Sequence, residues 1–153
     1  MTETLRLRLW TLAKIPLLFF LRPSVVEATP ERTVIRIPLT RRSRNHLGSM
    51  YFAALCAGAD LAGALTAMRR IEASGRRISL IFKDVKAEFL KRVEADAFFS
   101  CDDGAAVAAL VRKAIETGER EELPVRVVAT VPDALGDEPA AVFLLTLSLK
   151  RRD

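Results

Sequence analysis

The chain has 153 residues, of which 50% are hydrophobic and 28% charged, and its formal net charge is +5. This length suits one domain with a full core, and the composition excludes a disordered or fibrous protein. The basic residues concentrate in two runs, Arg41 to Arg44 and Lys150 to Arg152. Such an excess suits an anionic ligand, a phosphate-bearing group or an acidic surface. Because no nucleic-acid module or platform of stacking aromatic residues accompanies it, we expect no nucleic-acid partner.

Cysteine and histidine are scarce. The two cysteines, Cys56 and Cys101, form no spacing motif, which predicts a reducing, cytoplasmic compartment. His46 is the single histidine, so a site with several histidine ligands is excluded and we expect no metal. A Ser-His-Asp triad is compatible with these numbers, but Gly48-Ser49-Met50 lacks the pattern of a nucleophile elbow.

The first predicted element covers residues 3–14. Leu5, Leu9 and Leu12 share one face of a helix, which favours a short helix there. The alternation of leucine and arginine over residues 5–9 is equally typical of a strand.

An apolar run over residues 15–21 follows, and it is too short to cross a membrane. It faintly resembles a secretory signal, but Lys14, Pro16 and Arg22-Pro23 disfavour that interpretation. We expect residues 1–22 to form a helical segment packed on the core. The alternative is an anchor at a membrane surface that uses Trp10, Phe19 and Phe20.

A β-hairpin is predicted next, from residues 24–29 and 32–39 around the turn at Pro30-Glu31. A basic loop over residues 40–47 then leads to the longest apolar stretch, Asn45 to Met68. Alanine and leucine favour a helix in this stretch, and Gly75 marks its end.

This central helix has two notable properties. A helix that is apolar on every side must be buried on every side, so the other elements should wrap around it. Asp60 lies near its middle, where an isolated carboxylate is costly unless it is paired, solvated or protonated. A charged residue at that position disfavours a membrane span, so none is expected, and it marks Asp60 as a candidate functional residue.

The second half of the chain predicts four strands and one more helix. The strands cover residues 77–89, 93–100, 123–131 and 140–149. The helix covers residues 103–117, with Asp102 or Asp103 as its N-cap and Gly118 at its C-terminus. The elements together predict an α+β fold, in which a curved antiparallel sheet of about six strands wraps around one long helix.

Three local features resemble those of a known family. They are Pro38-Leu39, the run Arg44-Asn45-His46-Leu47-Gly48-Ser49-Met50-Tyr51, and an acidic residue twelve positions after Gly48, which is Asp60. They resemble an uncharacterised family of hotdog-fold proteins close to the acyl-CoA thioesterases of the phenylacetate-degradation type. The resemblance covers nearly the whole chain and implies a single hotdog domain over residues 1–153.

The resemblance also implies a function. An acyl thioester such as acyl-CoA would be hydrolysed, with coenzyme A entering only as part of the substrate and no other cofactor. The protein would be a homodimer, or a dimer of dimers, in which the carboxylate of one subunit meets Asn45 and the helix start of the other.

Asp60 is the predicted general base, since apolar surroundings raise a carboxyl pKa. Asn45 would position the water or the carbonyl. Both residues have a structural alternative: Asp60 could pair with an arginine at a dimer interface, and Asn45 could cap the turn or helix. The predicted substrate-binding residues are Gly48, Tyr51, Phe52 and Ala53 near the helix start, where N–H groups would bind the oxyanion, and Arg41, Arg42 and Arg44, which would clamp phosphates or remain a solvated loop.

The helix start departs from the related thioesterases. They place a Gly-Gly pair there, often preceded by histidine, whereas this sequence has Tyr51-Phe52-Ala53. The extra Cβ atoms stand where the ligand would lie. This difference favours the alternative function, a non-catalytic module that binds an acyl chain or an acyl carrier in the same pocket.

Overall fold

The computed structural model describes residues 2–153. Its helices are α1 (Glu3–Lys14), α2 (Pro16–Phe20), α3 (Phe52–Ser74), α4 (Gly104–Thr117) and α5 (Pro132–Leu135). Its strands are β1 (Ser24–Ala28), β2 (Thr33–Ile37), β3 (Ile78–Phe89), β4 (Ala97–Cys101), β5 (Arg120–Val131) and β6 (Gly136–Arg151). All neighbouring strands are antiparallel, in the order β1-β2-β4-β5-β6-β3. The prediction of a six-stranded antiparallel sheet with one long helix is confirmed.

The N-terminal segment is helical, as residues 3–14 predicted. The Thr2 hydroxyl accepts the N–H of Leu5 at the start of α1, and the helix ends at Lys14, with Ile15 as its C-cap before Pro16. Leu7 and Thr11 are buried against the core. The face that the sequence singled out points the other way, because its three leucines are about half exposed: Leu5, Leu9 and Leu12.

The long helix α3 lies on one face of the sheet. Its sheet side is built from small residues, and an added Cβ at Gly58 would lie 2.3 Å from the buried ring of Phe99. Its other side, with Asp60 and Met68, is half-buried beneath α1. The expectation that α3 is buried on every side is therefore wrong, since α1 covers this second side only in part.

By length and mean hydropathy α3 could cross a membrane. Half of its most apolar window is buried inside the molecule, as in the core helix of a globular protein. The helix is also shorter than the stretch from Asn45 predicted, because residues 45–51 form a loop and α3 begins at Phe52.

The strand predicted over residues 93–100 is shorter in the structure. Residues 93–96 lie outside β4, which begins at Ala97, and β3 and β4 do not pair. Residues 90–96 cross instead from one edge of the sheet towards its centre, held by the N–H groups of Leu90 and Lys91 on the carbonyl of Ala140. Asp103 occupies the N-cap position of α4, as predicted, but its side chain does not cap the helix. Its carboxylate instead accepts the N–H of Arg126 in β5 at 2.7 Å.

Strand β3 contains an irregularity after Phe82. Phe82 pairs with Leu147 and Val85 pairs with Leu145, so β3 carries one extra residue between these two pairs. The first half of β3 lies opposite α1 and the later turns of α3. The second half extends past α1 and reaches the start of α3, where Phe89 packs against Phe52.

Candidate active site

A cavity of about 630 Å³ lies between α1, α3 and the first half of β3. Asp60 is the first residue of α3 in its wall, and the wall continues along the helix through Ala64, Met68 and Ile71. Most of the other wall residues are apolar. Those from the two neighbouring elements are Leu7, Trp10, Ile78, Leu80, Ile81 and Phe82. A volume of this size is typical of sites for small organic ligands.

Burial raises the pKa of Asp60 from 3.8 to about 6. The cause is the loss of water around the carboxylate, which disfavours its charged form. Within residues 2–153, no side chain forms an ion pair or a hydrogen bond with Asp60. Near neutral pH the site thus presents a carboxylate that is ionised, poorly solvated and free to accept a proton.

The change Asp60→Asn is expected to stabilise the protein at alkaline pH. The folded pKa is about 6 and lies above the ordinary value of 3.8, so the folded state holds this proton more tightly than the unfolded state. The protonated carboxyl of Asp60 therefore contributes to the free energy of unfolding. This contribution is complete below about pH 4 and is lost as the pH rises through 6, a change on the order of 2–3 kcal/mol. Asparagine carries no charge and should not show this loss.

Urea denaturation of both proteins at pH 4.5 and pH 8 measures this effect. The free energy of unfolding of the variant, relative to that of the wild type, should be higher at pH 8 than at pH 4.5. The same difference between the two proteins at both pH values would contradict a raised pKa of Asp60. The exposed Asp133 in α5 supplies the matched control, Asp133→Asn, for which we expect no gain.

Asn45 closes the loop that precedes α3. Its Oδ1 accepts the N–H groups of Leu47 at 2.9 Å and Ser49 at 3.2 Å, and its Nδ2 donates to the Ser49 hydroxyl at 3.0 Å. Gly48, with φ +83°, supplies the left-handed turn inside this loop. The amide of Asn45 is therefore engaged within its own loop, and Asn45 is absent from the wall of the cavity.

The start of α3 carries free N–H groups. Tyr51 occupies the N-cap without a side-chain hydrogen bond to the helix. The N–H groups of Phe52 and Ala53 have no acceptor among residues 2–153. Phe52 and Ala53 lie eight and seven residues before Asp60, a rise of about 10–12 Å along the helix. A single chain thus places the predicted base and the predicted oxyanion donors on one helix without bringing them together.

The predicted phosphate-binding arginines lie on the exposed surface before that loop. Arg41, Arg42 and Arg44 form no ion pair within the described part of the chain. The guanidinium of Arg42 stands 5.1 Å from the centre of the Phe20 ring. None of the three lines the cavity, but all remain accessible to an anionic group.

Sequence reasoning missed the contribution of α1 to this site. Leu7 and Trp10 form one wall of the cavity. At the end of the cavity away from Asp60, Arg6 pairs with Glu72 of α3. The spacing of Leu7, Trp10 and Thr11 could have indicated a second helical face, opposite the more obvious stripe of leucines. In residues 2–153, no group of acidic, cysteine or histidine side chains could hold a metal ion.

Residues 6–143 match the family described as "Domain of unknown function (DUF4442)". No curated protein sequence matches the chain.

Three solved structures illustrate the fold. A protein of unknown function from Chlorobaculum tepidum is 10% identical, with 97% of this chain and 94% of that chain covered and a TM-score of 0.84. A Pseudomonas aeruginosa protein of unknown function, described as a probable thioesterase, is 22% identical, with 99% of this chain and 97% of that chain covered and a TM-score of 0.78. A thioesterase from Haemophilus influenzae is 13% identical, with 99% of this chain and 92% of that chain covered and a TM-score of 0.70. The chain has the hotdog fold of these structures, as the sequence resemblance implied.

Proposed function

The chain belongs to the DUF4442 family, whose description assigns no activity, and from its fold and its cavity we propose that it is an acyl-CoA thioesterase. The observation that carries this proposal is Asp60, an unpaired carboxylate with a pKa of about 6 in the wall of a mainly apolar cavity. A titratable group in such surroundings is a candidate general base.

The proposed reaction uses two parts of α3. The ionised Asp60 takes a proton from a water molecule whose oxygen attacks the thioester carbon. The N–H groups of Phe52 and Ala53, at the positive end of the helix dipole, stabilise the oxyanion that forms. The tetrahedral intermediate then breaks its C–S bond, and the leaving thiolate of coenzyme A takes the proton from Asp60.

In this proposal a second subunit brings the oxyanion donors close to Asp60, since the two lie apart within one chain. β3 is the last strand of the sheet, and within residues 2–153 it pairs with β6 alone and leaves its other edge free. Beside this edge lies a patch of exposed apolar side chains, the seam patch, which consists of Tyr51, Phe52, Val85 and Phe89. A long strand edge beside an apolar patch is a site of association. We propose that two copies pair there, so that the helix start of one subunit approaches Asp60 of the other.

The variant Val85→Lys tests the seam. A lysine in the patch should prevent dimerisation and lower acyl-CoA hydrolysis at least tenfold, because each site would lose the oxyanion donors of its partner. Light scattering coupled to size-exclusion chromatography measures the mass, and thiol release measures the rate.

Val26→Lys is the matched control for this variant. Val26 lies in the opposite edge strand β1 and is exposed to the same extent, 54%. It should leave both mass and rate unchanged. A Val85→Lys protein that stays dimeric and fully active would refute the seam.

The loop before α3 has two proposed roles. Asn45 would act by holding the residues that lead to Tyr51, since its amide is engaged in the loop. Arg41, Arg42 and Arg44 would bind the phosphates of coenzyme A, because guanidinium groups match phosphate oxygens in pairs and these three are free of carboxylates among residues 2–153. Coenzyme A is an intracellular thiol, consistent with the cytoplasmic location that the sequence predicts.

A panel of acyl-CoA thioesters, assayed for released thiol, tests the proposed activity. The alternative function, a non-catalytic module that holds an acyl chain or acyl carrier, is favoured by the side chains of Phe52 and Ala53 in place of two glycines. That alternative predicts a rise in melting temperature with ligand but no released thiol. Release of thiol above the uncatalysed rate excludes it.

A further inference from the structure

The cavity is elongated along α3. Four residues mark its course on one side of the helix, and they follow one another at intervals of three or four positions: Asp60, Ala64, Met68 and Ile71. Eleven residues separate the first from the last, which corresponds to about 16 Å along the helix. The cavity therefore begins at the proposed base and continues for about three turns away from it.

The polar groups of the wall lie at the two ends of this course. Asp60 stands at one end. Glu3, Arg6, Arg69 and Glu72 belong to the other end, where Arg6 pairs with Glu72 and Arg69 donates to the carbonyl of Ala28. Between the two ends the wall is hydrocarbon and aromatic: Leu7 and Trp10 from α1, Ala64, Leu65 and Met68 from α3, and Phe82 from β3. A linear apolar group is the occupant that fits such a wall.

We propose that this cavity, the acyl channel, binds a straight saturated acyl chain of roughly 10–12 carbons, with its carbonyl at Asp60 and its methyl end near Ile71. An extended chain advances about 1.3 Å per methylene, given C–C bonds of about 1.5 Å in a zigzag, so about 16 Å accommodates about 12 carbons. This inference rests on the proposed function for the position of the carbonyl. The length of the chain rests on the cavity alone.

Binding can be measured without turnover, because Trp10 is the only tryptophan and lines the channel. The probes are saturated fatty acids of 4 to 16 carbons, titrated into Asp60→Asn protein so that no second carboxylate repels the probe. We expect the emission of Trp10 to shift to the blue. The affinity should rise about two- to fourfold per methylene up to about 12 carbons and then level off. Emission that does not respond to any chain length would overturn the proposal.

Substitutions that block the channel at increasing depth test its course. Ala64→Phe places a ring about 6 Å beyond Asp60, and Met68→Trp places one about 12 Å beyond it. The preferred chain should shorten to about 4 carbons in the first variant and to about 8 or 9 in the second. Ala73→Phe, at an exposed position of α3 outside the wall, is the matched control and should keep the preference of the wild type.

The outcomes separate this inference from the proposed function. Thiol release at equal rates for all chain lengths, unchanged in Ala64→Phe and Met68→Trp, would refute the acyl channel and leave the thioesterase standing. Length-dependent binding at Trp10 without any thiol release would support the channel and refute the thioesterase. If Ala64→Phe does not fold, Met68→Trp and the titration of Asp60→Asn protein still decide the question.

Discussion

Replacing Asp60 by Asn is expected to lower the kcat of acyl-CoA hydrolysis by a factor of roughly 10²–10⁴. The change keeps the size of the side chain and removes the group that accepts the proton from water. The wild-type rate should rise with pH through about 6, because the base works in its ionised form and burial raises the pKa of Asp60 to that value. The residual activity of the variant should lose this dependence.

Stopped assays of released thiol between pH 5 and pH 8, on the wild type and the variant, measure both effects. Asp133→Asn, which changes an exposed carboxylate on α5, should behave as the wild type. A fully active Asp60→Asn protein with the original pH profile would remove Asp60 from the mechanism.

Gly58→Ala is expected to destabilise the fold by about 3 kcal/mol, at the upper end of what overpacking usually costs. The added methyl group would lie 2.3 Å from the ring of Phe99. That ring is fully buried and packs against Phe143, with 6.4 Å between the ring centres, so it has little room to move. The gain in helix propensity from glycine to alanine, about 1 kcal/mol, is too small to compensate.

Gly63→Ala is the matched control on the same helix. Its new Cβ would meet Val125 at 3.4 Å, an ordinary contact, so this change should be neutral or slightly stabilising. The double variant Gly58→Ala with Phe99→Leu should recover part of the loss, because the smaller side chain makes room for the methyl group. Urea denaturation of the four proteins measures these differences, and a Gly58→Ala protein as stable as Gly63→Ala would contradict the close packing of α3 on the sheet.

The sequence predicted the elements well where the signal is local. Residues 3–14, the apolar run that ends at Gly75 and the segment closed by Gly118 all contain helix signals within a few positions. It failed where the answer depends on distant parts of the chain. Residues 77–89 and 93–100 are consecutive and look like a hairpin, yet the chain between them crosses to another part of the sheet because β2 and β5 supply the partners of β4.

The candidate site was predictable in the same uneven way. Asp60 stands out because a carboxylate is rare in such an apolar helix, and that anomaly is visible in the sequence alone. The cavity around it could not be foreseen, since its wall joins Trp10, Met68 and Phe82 from three separate elements. The role of Asn45 in its loop depends on hydrogen bonds to Leu47 and Ser49 that only the folded backbone creates.

The extra residue in β3 has a consequence for how this protein can vary. Along a regular strand every second side chain faces the same way, so a segment that keeps Leu80 and Phe82 inward would continue with Asp84 and Lys86. The irregularity after Phe82 resets this alternation, so Val85 and Phe89 lie on the same face of the sheet as Leu80 and Phe82, although both remain about half exposed. One inserted residue thereby places the β3 side chains of the cavity wall and those of the seam patch on one face of the sheet, so its deletion should turn Val85 and Phe89 to the opposite face.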